Sequence, residues 1–183
     1  MDFGCGLGQD GLHFAKALGL EVVFADIVPS NVKLTNRYAV IWRVLTKSVH
    51  VDDPKSFDFT QKFGLIFANG VLHHSPEAKE IVQNLKCFLN INGLFIVMLY
   101  TKEHYKVVGA RSIDEYAMKS ESPAPVPTIN PYTEYYDVKK AQELFEGFML
   151  IDQWTTHNER FGWYCFKMLP QEMAVASEND NDM

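Results

Sequence analysis

Cysteine is scarce in this 183-residue chain, and so is any excess of positive charge. The three cysteines, Cys5, Cys87 and Cys165, are an odd number lying far apart, without metal-ligand spacing. Neither a disulfide framework nor a metal site is therefore encoded, and they read as reduced thiols of a cytoplasmic protein. Lys and Arg total 17 against 23 Asp and Glu, a net charge of −6. A binder of the nucleic-acid backbone needs a basic face, and no cluster of Lys and Arg supplies one. No apolar run approaches the roughly 20 residues that cross a bilayer. The longest, Leu94 to Tyr100, has the length of a buried strand. A secretory signal is lacking too, since Met1 leads straight into Asp2 and a run of glycines.

What is present is a globular composition, 47% hydrophobic and 13% aromatic, in a length that suits one domain. Strand and helix patterns alternate, which argues for an α/β fold with a parallel sheet covered by helices on both faces. Asp2-Phe3 reads as the end of a strand entering a glycine turn. Leu12, Ala15 and Leu18 fall at helical spacing, and Gly19 stands where a C-terminal cap belongs. Glu21 to Ala25 is a β-rich run ending at Asp26. Pro29 opens a helix whose Tyr38, Ile41, Trp42 and Leu45 follow the i, i+3, i+4, i+7 rule of a core-facing stripe.

Ser48 to Val51 is a short strand ending at Asp52-Asp53, and Phe63 to Ala68 a strand buried on both faces. Ile81, Val82, Leu85, Phe88 and Leu89 then form one face of an amphipathic helix. Asn92-Gly93 turns the chain into the strand Leu94 to Leu99. Residues 101–131 are irregular, with Pro123, Pro125, Pro127 and Pro131 closely spaced, and read as a lid or mobile loop. A helix around Val138 to Glu146 follows. The strands Phe148 to Thr155 and Phe161 to Met168 are joined by a short polar turn, which favours an antiparallel pair. One domain over residues 1–169 and a disordered acidic tail over 170–183 complete the expected organisation.

The chemistry is expected at Asp2-Phe3-Gly4-Cys5-Gly6-Leu7-Gly8, between a strand and a helix. Glycines at alternate positions let the backbone turn sharply and leave room for a ligand. The next helix points its free N–H groups and positive dipole end at that turn, so a nucleotide-like ligand fits there. Gly6, Gly8 and Gly11 also satisfy G-x-G-x-x-G, which keeps an NAD(P)-dependent oxidoreductase as an alternative. Asp26 suits either ligand, because a carboxylate at that strand end accepts both ribose hydroxyl hydrogens.

The run Asp2 to Gly8 resembles the first motif of class I S-adenosylmethionine-dependent methyltransferases, in which an acid opens the glycine run. Phe67-Ala68-Asn69-Gly70-Val71-Leu72-His73-His74-Ser75-Pro76 is similar to the fourth-strand motif of small-molecule methyltransferases related to the ubiquinone and menaquinone biosynthetic enzymes. Leu89 to Leu94 and Phe95 to Tyr100 stand where that family has a turn and its fifth strand. The resemblance runs from Asp2 to about Tyr105, and a looser match resumes at Pro131-Tyr132-Thr133 and Leu144 to Phe148.

The resemblance implies a doubly wound, mostly parallel, Rossmann-like sheet ending in an antiparallel pair. It implies S-adenosylmethionine as cofactor and a small-molecule acceptor. Asp2, Gly4, Gly6 and Gly8 would line the methionine side, and Asp26 would bind the ribose. Asp52 or Asp53 would approach the adenine amino group beside Val51, while Asn69 and Gly70 would present backbone to the methionine amino group. The family's first strand carries apolar residues before the acid, whereas Asp2 here follows Met1 directly. A misassigned start or a fragment is therefore expected, with a truncated first strand that leaves a gap in the sheet. Phe63-Gly64 replaces a usual Phe-Asp, and Asn90-Ile91-Asn92-Gly93 replaces a Lys-Pro-Gly-Gly turn.

His73 and His74 follow the fourth strand, where an imidazole titrates in the useful range. One of them, His73 in the first instance, is a candidate general base; the alternative is that the pair fixes the loop through hydrogen bonds. Tyr132, Tyr135 and Tyr136 either line an acceptor pocket or pack as ordinary aromatics. A non-catalytic methyltransferase-like module is the reading from a different class.

Overall fold

Short runs of β-branched and aromatic residues form the centre of a seven-stranded sheet in the computed structural model, which describes residues 1–104 and 132–170. Of the expected lid over 101–131 and the expected tail over 170–183, residues 105–131 and 171–183 lie outside the described residues. The strands are β1 (Asp2–Phe3), β2 (Val22–Asp26), β3 (Thr46–His50), β4 (Phe63–Asn69), β5 (Leu89–Tyr100), β6 (Phe148–Thr156) and β7 (Phe161–Met168). Their order is β3-β2-β1-β4-β5-β7-β6. The first five are parallel, and β7 runs antiparallel to both β5 and β6.

Helix α1 (Gln9–Leu18) follows β1 and α2 (Pro29–Trp42) follows β2; α3 (Ala78–Lys86) leads into β5 and α4 (Val138–Leu144) into β6. Two cores lie on opposite faces of the sheet. Strand β2 is buried along its whole length and shows the division: Val23 and Ala25 join one core, Val22 and Phe24 the other. That is the period-two alternation of a strand covered on both faces. Leu12, Ala15 and Ala39 bring α1 and α2 onto the Phe24 face. Ile81, Val82, Leu85 and Leu144 bring α3 and α4 onto the other. No described helix is long and apolar enough to cross a membrane.

The first strand is short, as expected. It pairs with β2 only at Asp2 and Phe3 and with β4 only at Asp2. Below it, β2 and β4 flank a cleft of about 380 Å³ lined by Met1, Phe14, Val22, Phe63 and Leu65 among others. The Met1 ammonium donates to Leu65 O at 2.7 Å, and burial lowers its pKa to about 6.

Three local expectations need correction. In α2 the stripe of Tyr38, Ile41 and Leu45 faces out, with Ile41 70% and Leu45 94% exposed. The helix buries Thr35 and Ala39 instead, because only small side chains allow it to approach the neighbouring turn; Leu45 lies beyond its end at Trp42. Asn92-Gly93 is not a turn before β5 but an irregularity inside it. Phe63 pairs with Leu89 and Leu65 with Leu94, so β5 bulges there, with Asn92 at a φ of 63°. Phe88 and Leu89 accordingly lie outside α3, and Leu89 opens β5.

Candidate functional site

From β1 the chain works outward to β3 and then crosses back to β4 on the other side of β1. Helix α1 leaves β1 toward one face, while the connection from β4 reaches α3 on the other. A crevice opens between two such departures at the carboxyl ends of the strands, and ligands of open α/β sheets bind in that crevice.

The glycine turn fills one side of it. Gly4 N and Cys5 N both donate to Ala25 O, at 2.7 and 3.1 Å, which ties the turn to the end of β2. Gly8 N closes it on Cys5 O at 2.8 Å, and Gly8 then caps α1 in the left-handed region. Gly6 has a φ of +53°, and no atom lies within 4 Å of where a Cβ would stand, so this bend presents open backbone to the crevice. Asp26 closes β2 with only 6% exposure. Its Oδ2 accepts from Gly6 N at 2.7 Å, and its Oδ1 accepts from Val28 N at 2.8 Å and from Asn31 Nδ2 at 3.2 Å.

Between turn and carboxylate lies a cleft of about 400 Å³, with Gly4, Gly6, Asp26, Val51, Gly70 and His74 in its wall. Val28, Pro54, Val71 and Ile81 make much of the remaining lining apolar. Apolar walls, open backbone and one fixed carboxylate are what a nucleoside requires.

Of the residues expected from the sequence, Gly4, Gly6, Asp26 and Gly70 meet in this cleft. Asp2 is outside this lining and belongs to the wall of the cleft below β1; the residue is 4% exposed, and its Oδ2 accepts from Gly11 N at 3.1 Å. Burial above all, then the charges of Asp10 and Asp26, pushes the Asp2 pKa up to about 7 against the opposing Gly11 N–H. Gly8 backs onto Thr35 and Phe24 rather than the cleft. Asn69 donates through Nδ2 to Asp10 at 2.8 Å, joining the end of β4 to the first turn of α1. Asp52 and Asp53 are outside the lining: Asp52 pairs with His50 at 3.1 Å, and Asp53 accepts from Lys55 N and Ser56 Oγ, each at 2.9 Å. Their neighbours Val51 and Pro54 face the cleft.

The two histidines differ sharply. His73 is fully buried and stacks on Tyr100 at 3.8 Å. Burial, then the neighbouring His74, pushes its pKa down to about 3. His74 lines the cleft, with Nδ1 at 3.2 Å from Tyr132 O. That carbonyl accepts from a protonated Nδ1, while the Thr133 hydroxyl, 3.3 Å from the same nitrogen, can donate to it in the other tautomer. Burial lowers the His74 pKa, which favours the neutral ring. Tyr136 is buried and donates its N–H to Tyr100 O at 2.8 Å. Tyr132 donates its hydroxyl to Glu134 at 3.2 Å. The sequence reading missed Asn31, Thr35 and Pro54. The available signal was their place, just after the two carboxylate-bearing strand ends.

A doubly wound α/β sheet with a nucleoside-shaped cleft at its switch point defines a nucleotide-cofactor enzyme class. The methyltransferase domain family matches residues 1–95, and the chain belongs to that family, in the class I form whose cofactor is S-adenosylmethionine. The comparison with curated proteins gave no significant match. Among solved structures, a methyltransferase from Methanosarcina mazei is similar, with TM-score 0.71 and 16% identity, over 93% of this chain and 92% of that one. An S-adenosylmethionine-dependent methyltransferase from Clostridium acetobutylicum gives TM-score 0.70 and 12% identity, over 92% and 83%. Magnesium protoporphyrin IX methyltransferase from Synechocystis with bound S-adenosylhomocysteine gives 0.69 and 16%, over 91% and 72%. These identities carry the fold alone.

Proposed function

We propose that this chain binds S-adenosylmethionine in the cleft beside the glycine turn and methylates a small-molecule acceptor. The observation that carries the reading is the Asp26 carboxylate, fixed by three N–H donors at the rim of an open glycine bend. Of its roughly four lone-pair sites three are taken, which leaves one on Oδ2 to accept from a ribose hydroxyl. Val51 and Pro54 offer apolar walls for adenine, and Gly70 would meet the methionine end, next to the Asn69–Asp10 hydrogen bond. When bound, the cofactor supplies an activated methyl group to an in-line nucleophile. The residues of this chain have only to hold the two partners aligned, a contribution of about 7–11 kcal/mol in well-oriented systems.

His74 is the better placed of the two histidines to take a proton from an acceptor. In the tautomer whose Nδ1–H is held by the Tyr132 carbonyl, Nε2 is the basic atom. His73 acts through packing, keeping Tyr100 and the loop in place. A small acceptor is supported by the net charge of −6, which suits no nucleic acid, and by the porphyrin named for one structural neighbour. The three free cysteines fit a reducing compartment.

Calorimetric titration with S-adenosylhomocysteine and with NADH tests the reading. Binding of the first alone is expected. Binding of NADH alone would replace it with the oxidoreductase, and binding of neither with a non-catalytic module.

A further inference from the structure

Helix α2 buries a polar side chain where a structural helix would bury an aliphatic one. Thr35 has no exposure, and its hydroxyl donates to Gly6 O at 3.2 Å. A helical threonine commonly returns that hydroxyl to its own i−4 carbonyl; here it reaches a turn 29 residues away. Gly6 N meanwhile donates to Asp26 Oδ2 at 2.7 Å. Both peptide planes that flank Gly6 are therefore held, one by Asp26 and the other by Thr35. No packing does this job, since nothing lies within 4 Å of a Cβ at Gly6.

Asn31 stands four residues before Thr35, on the same helical face. Its Nδ2 donates to the other Asp26 oxygen at 3.2 Å. The methyl of Thr35 presses against the turn as well, 2.6 Å from where a Cβ on Gly8 would stand. One stripe of α2 thus grips the glycine turn and the carboxylate together, and closes a hydrogen-bonded ring through Gly6, Asp26 and the helix.

We propose that Thr35 and Asn31 are positioning residues that preset the glycine turn and the Asp26 carboxylate for the cofactor. The inference rests on the cofactor reading above. A ligand that meets a turn already in its bound shape is spared the cost of ordering it. The positively curved backbone at Gly6 is the segment with most freedom to lose, so it gains most from being held.

Thr35→Val keeps the shape and removes the hydroxyl; Thr35→Ser keeps the hydroxyl and removes the methyl. Calorimetry with S-adenosylhomocysteine is expected to give a Kd about tenfold higher for T35V, and within about threefold of wild type for T35S. Thermal unfolding should show the reverse ranking, T35S losing more stability because it loses packing. A purely structural threonine would make affinity follow stability. T35V binding within twofold of wild type overturns the proposal. If circular dichroism shows T35V unfolded, Asn31→Ala decides: its Kd is expected to rise several-fold, and an unchanged value overturns the brace.

Amide hydrogen exchange of the ligand-free protein reads the brace without any cofactor. Gly6 and Gly8 should exchange faster in T35V, or in N31A where that variant decides, and at the wild-type rate in T35S. Wild type that fails to bind S-adenosylhomocysteine, yet shows this exchange pattern, would sink the proposed function while the preset turn survives. Unaltered exchange in both T35V and N31A would sink the preset turn itself.

Discussion

A single proton on Asp2 should be visible in the stability of the whole domain. The residue is 4% exposed, and its pKa rises from 3.8 to about 7, through burial first and then the charges of Asp10 and Asp26. The folded state therefore prefers the neutral acid. Its contribution to stability is fully present below about pH 3.8 and is lost as pH rises through about 7. Each pKa unit is worth about 1.4 kcal/mol, so full ionisation costs the fold on the order of 4 kcal/mol. Against a total stability of about 5–15 kcal/mol, that is a large fraction.

Asp2→Asn retains the size and an oxygen for Gly11 N–H but cannot ionise. Urea unfolding of both proteins between pH 5 and pH 8.5 reads the effect: groups remote from Asp2 cancel in the difference, and the Met1 ammonium, whose pKa the Asp2 charge raises, adds a smaller coupled part near pH 6. The advantage of D2N should grow with a slope approaching about 1.4 kcal/mol per pH unit and level off above about pH 7. A difference that stays constant with pH refutes the reasoning. Under the proposed function the ionised carboxylate also favours the ligand's ammonium. S-adenosylhomocysteine should then bind wild type more tightly at pH 8 than at pH 6, and D2N equally at both.

Asp26→Ala removes the acceptor of three N–H groups. It should lower stability by about 1–3 kcal/mol in urea unfolding and raise the calorimetric Kd for S-adenosylhomocysteine at least about tenfold. Gly11→Ala would set a Cβ 2.3 Å from the Phe24 ring and 2.7 Å from Asp2 Oδ2. Phe24 is fully buried and has nowhere to go. Chemical denaturation should show a loss of about 1–3 kcal/mol, where an exposed helical glycine would gain from the same change. Leu85→Ala, in the fully buried stripe of α3, should cost about 2–5 kcal/mol and leave cofactor affinity unchanged once the protein is folded.

The alternation of strands and helices, the glycine turn and the Asp26 carboxylate were all legible in the sequence, because each rests on local chemistry. Strand β2 was visible as an unbroken apolar run, since both its faces are covered. The doubly wound, mostly parallel sheet followed from the family resemblance and the antiparallel end from the short turn before β7, while the order of the strands came only with the structure. The resemblance implied that Asp52 or Asp53 approaches adenine, and spacing alone could not show what else these side chains meet. Asp52 pairs with the His50 ring and Asp53 accepts from the turn at Lys55 and Ser56. The bulge at Asn92-Gly93 was read as a turn, since the left-handed Asn92 that bends a strand also makes a hairpin corner.

The inner face of α2 was illegible for a reason that belongs to the site. Hydrophobic periodicity finds large apolar residues, and it selected Tyr38, Ile41, Trp42 and Leu45, of which only Trp42 packs against the core. Next to the glycine turn the stripe that packs inward is Asn31, Thr35 and Ala39, two of them polar and none of them large, and Trp42 joins the core only at the far end of the helix. A helix that must bring hydrogen-bond donors to a glycine turn cannot carry leucines on that face, because their bulk would hold it away from Gly6 and Gly8. The contact at Gly8 leaves no room even for a Cβ. Weak patterning in a helix that follows a cofactor-type strand end is thus itself a signal: the helix is packed for hydrogen bonds, and its small polar residues mark what it holds.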